Sequence, residues 1–180
     1  MPRPSYIEHY SYDDYKLWEG EWELIDGQPY AMTPSPNRKH QQLALEIMFN
    51  IRKQLDNCSN CEVLGEIDYK ISNDIILKPD VVLTCGETHE SYLTKTPEII
   101  FEIISPSTAK RDETYKFSIY EEEKLNYYVL VYPSDLRAKI YELKNGKFDK
   151  EGDFSREAYD FKNTSCHIKL DFAEVFRRYF

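Results

Sequence analysis

Residues 78–85, KPDVVLTC, and residues 98–116, EIIFEIISPSTAKRDETYK, decide how the chain is read. Two short apolar runs stand out, Val81 to Leu83 and Ile99 to Ile104, each bounded by turn residues and rich in β-branched side chains. Runs of this kind form buried strands. Each contains a carboxylate that an apolar run should not: Asp80 at the mouth of the first, Glu102 inside the second. A carboxylate in a buried strand costs several kcal/mol unless it is paired, protonated or bound to a cation. Two of them on successive strands suggest a metal site.

A polar stretch through Gly86 and Pro97 joins the runs, which suits an antiparallel pair with a long loop. Such a pairing brings Asp80 beside Glu102. Strand alternation puts Ile100, Glu102 and Ile104 on one face and Ile99, Phe101 and Ile103 on the other. Ser105-Pro106-Ser107-Thr108 breaks the strand, and the next helix is expected to start near Asp112, a good N-cap. Lys116 then falls about one turn into that helix, within reach of the carboxylates.

Working outward, Ser11 can cap a short helix through Tyr15, Leu17 and Trp18. Residues 21–25 alternate, turn at Asp26-Gly27 and return to Met32, a hairpin signal. A Pro-rich loop, residues 33–37, leads into a helix with Leu43, Ala44, Ile47, Met48, Ile51 and Leu55 as its apolar stripe and His40 in its first turn. A strand is expected from Cys61 to Ile71, then a turn at Asn73-Asp74 and a short run to Leu77. After the Asp112 helix come an apolar run from Tyr127 to Tyr132 and a hairpin about Asn145-Gly146. A strand from His167 to Leu170 and a helix from Asp171 to Tyr179 close the chain. The order predicts an α/β protein of the mixed α+β kind: one mixed sheet with flanking helices and an added N-terminal hairpin, as a single domain over residues 1–180.

The composition bounds the function. The net charge of −9 argues against a protein that coats nucleic acid through a broad basic face, but not against an enzyme that grips a few phosphates locally. No apolar stretch approaches the roughly 20 residues of a membrane helix, and the N-terminus lacks a signal-like segment. A cytoplasmic protein with its four cysteines reduced is expected, and no membrane partner. Cys58-Ser59-Asn60-Cys61 has the spacing of a zinc knuckle or redox pair, but Cys85 and Cys166 form no second pair at ligand spacing.

The elements WELIDG, PSPNRKH, KPDVV, FEIISPST, RDETYK and NYYVLVYP, with the terminal LDFAEVF, resemble the Uma-two family of restriction-endonuclease-like proteins in the PD-(D/E)XK nuclease superfamily. The resemblance spans nearly the whole chain from Glu21 and lies in the order and spacing of these pieces. It implies a helix, a three-stranded antiparallel sheet, a helix and a further strand. It also implies a Mg²⁺ or Mn²⁺ site that hydrolyses phosphodiester bonds in nucleic acid, foremost DNA, in a homodimer. Asp80 matches the Asp of the PD element and Glu102 the acidic member of the second, with the Ile103 carbonyl as a further oxygen. Two residues after Glu102 stands Ile104 rather than lysine; Lys116, on the next helix, is the matching position. Glu23 and His40 match positions used around the site for positioning water or contacting phosphate.

Each residue also has a plainer reading. Asp80 can begin a strand after Pro79, and Glu102 can form a structural ion pair with Lys78 or Lys116. Lys116 can be a solvated helix residue, Glu23 the polar face of a hairpin, and His40 a partner of the Pro-rich loop. Tyr127 and Tyr128 suit sheet packing better than base stacking. A binding or regulatory module that keeps the fold without turnover is the competing function, favoured by the displaced lysine and opposed by the Asp80, Glu102 pair.

Overall fold

The computed structural model describes residues 7–32 and 37–180; the loop expected over Thr33, Pro34, Ser35 and Pro36 and the first six residues lie outside the described residues. The two apolar runs become adjacent strands, β6 (Val81–Cys85) and β7 (Ile99–Ile103). They pair antiparallel, with Val81 opposite Phe101, Val82 opposite Ile100 and Leu83 opposite Ile99. One step further along this register, Asp80 faces Glu102.

Four strands extend this pair into a six-stranded sheet. β3 (Cys61–Gly65) lies antiparallel to β6, and β8 (Tyr127–Tyr132) runs parallel to β7. β9 (Arg137–Lys144) and β10 (Lys147–Phe154) add antiparallel strands outside β8, giving the order β10-β9-β8-β7-β6-β3. Alternation sorts the side chains as expected. Ile99, Phe101 and Ile103 pack with Leu43, Ile47 and Ile51 on one face, and Ile100 packs with Tyr120, Leu125 and Tyr128 on the other. Each fully buried side chain of this size contributes roughly 1.5–3 kcal/mol, so the sheet is pinned from both sides.

The helix on the first face, α2 (Arg38–Arg52), is set by its sequence. The Asn37 side chain accepts from the backbone N of His40 at 3.0 Å and fixes the start. Leu43, Ile47 and Ile51 recur every four residues and are fully buried. On the N-terminal side, α1 (Tyr12–Tyr15) precedes β1 (Trp22–Ile25) and β2 (Gln28–Ala31). Asp26 and Gly27 both take positive φ, 51° and 71°, the geometry of a tight two-residue hairpin turn.

Three expectations change. The single sheet becomes three. The strand expected from Cys61 to Ile71 breaks at Glu66, which adopts a φ of 51°. Beyond the break, β4 (Tyr69–Lys70) pairs with β5 (Ile76–Leu77), and β5 pairs with β1, forming a second sheet β2-β1-β5-β4. A strand the sequence did not disclose, β11 (Ala158–Phe161), pairs with β12 (Ile168–Asp171) in a two-stranded sheet. The closing helix α4 (Phe172–Phe176) is capped by Asp171, whose carboxylate accepts from Ala173 N, and runs on as a 3₁₀ turn over Arg177–Tyr179.

The cysteines are also paired rather than reduced. Cys58 bonds Cys166, and Cys61 bonds Cys85. The β3–β6 register places Cys61 directly opposite Cys85, so the CxxC spacing yields two separate bridges and neither a zinc knuckle nor an internal redox pair. Among the described residues, no helix is long and apolar enough to cross a membrane.

Candidate active site

Sheet register brings the two unusual carboxylates to one place. Asp80 sits at the entrance of β6, where its Oδ2 accepts from the backbone N of Ile103 at 2.6 Å and lies 3.1 Å from His40 Nε2 on α2. Glu102, on the Ile100 face of β7, is almost fully buried, and its Oε1 accepts from Lys116 Nζ at 3.0 Å and from the Tyr120 hydroxyl at 3.2 Å. Both carboxylates line one cavity of about 260 Å³, together with His40, Arg111, Asp112 and Lys116.

The segment after β7 differs from expectation. Helical backbone begins at Ala109, whose N donates to Ser105 O at 2.9 Å, and the Thr108 hydroxyl accepts from Ser105 N. Those hydroxyl residues start the helix, so Asp112 is not its N-cap. It lies inside a π-helical turn, Arg111–Lys116, that leads into α3 (Phe117–Glu122). Turns of this type are rare and concentrate at functional sites. Here the turn points Asp112 and Lys116 inward together, and the Asp112 carbonyl accepts from the Tyr128 hydroxyl at 2.9 Å.

Lys116 is the hub. Its Nζ lies 2.6 Å from Glu23 Oε1, 3.0 Å from Glu102 Oε1 and 3.4 Å from Asp112 Oδ1. Glu23 is fully buried in β1; its Oε1 also accepts from Lys78 N at 3.0 Å, and its Oε2 lies 3.3 Å from Arg111 Nε. All five residues expected at a site, Asp80, Glu102, Lys116, His40 and Glu23, therefore meet. Glu23 stands behind the cavity wall, against two cations, rather than on it. Lys78, the other candidate partner for Glu102, pairs instead with Glu21 and Asp68. Tyr127 and Tyr128 are buried in the sheet.

The charge balance is uneven. Glu23, Asp80, Glu102 and Asp112 face two permanent cations, Lys116 and Arg111. Burial pushes the Glu102 carboxyl well above the usual range; Lys116 opposes this, while Asp112, Asp80 and Glu23 reinforce it. Asp112 is raised for the same leading reason. Burial alone would lower Lys116, but Glu102, Glu23 and Asp112 together raise it, so it stays charged. Burial also works against a charged His40, and the bond and charge of Asp80 outweigh it, leaving His40 raised. This enclosure favours an added cation, because excess buried negative charge is costly.

Among the described residues, no group of three or more His, Cys, Asp and Glu side chains is arranged as a metal cage. The donor set nonetheless suits a hard cation that retains water. Asp80 Oδ1 and Glu102 Oε2 take no hydrogen bond among the described residues, and Asp112 Oδ1 is buried without one. Two carboxylates with several waters is an ordinary arrangement for Mg²⁺.

Arg111, Asp112 and Tyr120 were not anticipated as site residues. A signal existed for two of them: Asp112, Lys116 and Tyr120 are spaced by four, which places them on one helical face.

Known proteins share this framework. The sequence profile of the Uma2 family, described as "Putative restriction endonuclease", matches residues 12–158. Uncharacterized protein slr1290 of Synechocystis sp. is 28% identical over 139 residues, 72% of this chain and 72% of that protein. The crystal structure of a protein from Anabaena variabilis, titled a putative nuclease belonging to DUF820, aligns with a TM-score of 0.74 at 16% identity, over 93% of this chain and 97% of that one. At that identity the likeness concerns the fold.

Proposed function

The chain belongs to the Uma2 family, described as "Putative restriction endonuclease", and on that premise we propose that it is a divalent-metal-dependent nuclease that hydrolyses phosphodiester bonds in DNA. The observation that carries this reading is the meeting of Asp80, Glu102 and Lys116 at one cavity, with the lysine delivered from the π-helical turn rather than from two residues after Glu102. A lysine within 3.0 Å of the buried acid supplies the charge of a PD-(D/E)XK site from a different element.

Asp80 and Glu102 hold Mg²⁺ or Mn²⁺ in this reading, with the Ile103 carbonyl as a further oxygen. When bound, such an ion lowers the pKa of a coordinated water and offsets charge at phosphorus. The remaining work belongs to the chain. Asp80 is oriented by Ile103 N and His40, which fixes one carboxylate oxygen and leaves the other for the cation. Lys116 presents a fixed positive charge to the phosphate that enters the cavity, the kind of preorganised electrostatic help that needs no rearrangement during reaction. Glu23 positions Lys116 and Arg111 from behind. Tyr120 donates to the same Glu102 oxygen as Lys116, Oε1, so Oε2 would be the one to hold a cation.

The test is cleavage of supercoiled plasmid in Mg²⁺ or Mn²⁺ by the wild type, Asp80→Asn and Glu102→Gln, with Mn²⁺ titration calorimetry alongside. Loss of both cleavage and Mn²⁺ binding in the two variants, with melting curves that show a folded protein, supports the assignment. Undiminished cleavage by both sinks it. A second reading, a nuclease-fold binding module, draws on the burial of Lys116 against Glu23 and the net charge of −9. Mn²⁺ binding without cleavage by the wild type would select it. Cutting both strands also implies two copies, which sedimentation of the wild type tests directly.

A further inference from the structure

Arg111 sits in the cavity wall with a side chain only 14% exposed, yet little of its hydrogen-bonding capacity is used. Its Nε is buried without an acceptor in bonding geometry, although Glu23 Oε2 stands 3.3 Å away. Among the described residues, its terminal nitrogens make no hydrogen bond, and its guanidinium carbon lies 5.4 Å from the centre of the Tyr30 ring. An arginine held by charge on one side and by an aromatic ring on another, with its fork unspent, is prepared for an external acceptor. Guanidinium groups match the paired oxygens of a phosphate.

The surroundings of Arg111 are polar as well as acidic. The cavity that Asp80 and Glu102 enter from the sheet is lined on the following segment by Arg111 together with Ser105, Ser107 and Thr108, with Asp112 next to Arg111 in the chain. Those three hydroxyls bond one another, Ser105 Oγ to Ser107 Oγ at 2.9 Å and to Thr108 Oγ1 at 3.1 Å, which gathers polar groups at the rim. Asp80 and Glu102 suit a cation, and the unspent guanidinium fork of Arg111 with hydroxyl neighbours suits an anion.

We propose that Arg111 is a substrate-binding residue that grips the non-bridging oxygens of a backbone phosphate, holding the strand so that the bond to be cut lies over Asp80 and Glu102. This rests on the phosphodiester reading above and adds the residue that positions the strand. Glu23 then serves both sides: one oxygen faces Lys116 and the other faces Arg111.

The experiment measures binding of a fluorescein-labelled duplex of plasmid-derived sequence by anisotropy, with Ca²⁺ in place of Mg²⁺ to suppress cleavage, across a NaCl series. The wild type, Arg111→Lys and Arg111→Gln are compared, with plasmid cleavage and Mn²⁺ calorimetry on the same preparations. Arg111→Gln should weaken binding by about tenfold and lower the slope of log affinity against log salt by about one, the signature of one lost phosphate contact. Arg111→Lys should keep the slope and lose part of the affinity, since it retains charge without the fork. Mn²⁺ affinity should not fall in Arg111→Gln, since the residue holds no metal and its loss removes a competing positive charge. Wild-type affinity and slope in Arg111→Gln, with the wild type still cutting plasmid, would overturn the role of Arg111 and leave the nuclease reading standing. A wild type that neither binds nor cuts would remove both. If Arg111→Gln melts in the assay, Arg111→Lys decides: undiminished affinity in that variant overturns the proposal.

Discussion

The amino group of Lys116 lies closer to Glu23, at 2.6 Å, than to Glu102, at 3.0 Å. The residue that holds the site lysine thus comes from the N-terminal hairpin, a different sheet from the one that carries Asp80 and Glu102. The second sheet is therefore part of the site's construction.

Glu23→Ala should lower stability by about 3 kcal/mol, the low end for breaking a buried charge pair, because Glu102 and Asp112 still face Lys116. Cleavage should fall with it, as Lys116 and Arg111 lose a common anchor. Urea unfolding of the variant checks this. A change under about 0.5 kcal/mol, the range of ordinary surface substitutions, would show that Glu23 holds nothing.

Tyr120→Phe removes a single hydrogen bond to Glu102, which keeps Lys116. The expected loss is about 1 kcal/mol, visible as a small drop in the melting temperature and clearly less than that of Glu23→Ala. An effect as large as that of Glu23→Ala would mean the hydroxyl supports the acid more than the lysine does.

His40 gives the pH dependence. Its folded pKa is raised above 6.5, with Asp80 overcoming the effect of burial. The protonated ring is thus favoured in the folded state, and its stabilisation is complete below about pH 6.5, the unfolded value. It is lost as pH rises through the higher folded value. The stability gap between the wild type and His40→Gln should therefore be widest near pH 5.5 and narrow by pH 9. Denaturant melts at the two pH values measure it; a gap that widens with pH would contradict the Asp80 contact.

The disulfides predict a response to reductant. Cys58 and Cys166 are 108 residues apart and Cys61 and Cys85 are 24 apart. Bridges of such lengths typically stabilise by roughly 2–4 kcal/mol each, so a phosphine reductant should lower the melting temperature by several degrees. Cys58→Ser/Cys166→Ser should reproduce part of that drop. Identical melting with and without reductant, with four thiols titrated in native protein, would mean the cysteines are unpaired.

Much of this was readable from residues 78–116 alone. The register of β6 against β7, the opposite faces of Ile99 and Ile100, and the approach of Lys116 to Glu102 follow from strand and helix periodicity, which are local rules. What escaped depended on distant parts of the chain. Glu66 leaves the strand with a positive φ that its residue type does not announce, and that single turn diverts the chain into a second sheet. The strand Ala158–Phe161 is short and gains its definition from its partner, Ile168–Asp171. Asp112 looked like a cap because its type favours caps; Ser105 and Thr108 had already started the helix. The cysteine pairing required Cys166 to arrive from the far end of the chain.

The widened turn at Arg111–Lys116 also sets the angular phase of all that follows it. Each residue of a regular helix advances the bearing by about 100°. The wide turn houses one residue more than an α-helical turn, so deleting one there would close it to regular helix and shift Asp112 and Lys116 relative to Tyr120, which bonds Glu102, and Phe117, which meets the Tyr128, Tyr141 and Phe148 rings. The number of residues in this stretch is thus as much a constraint on the protein as the side chains of Arg111, Asp112 and Lys116 that it carries.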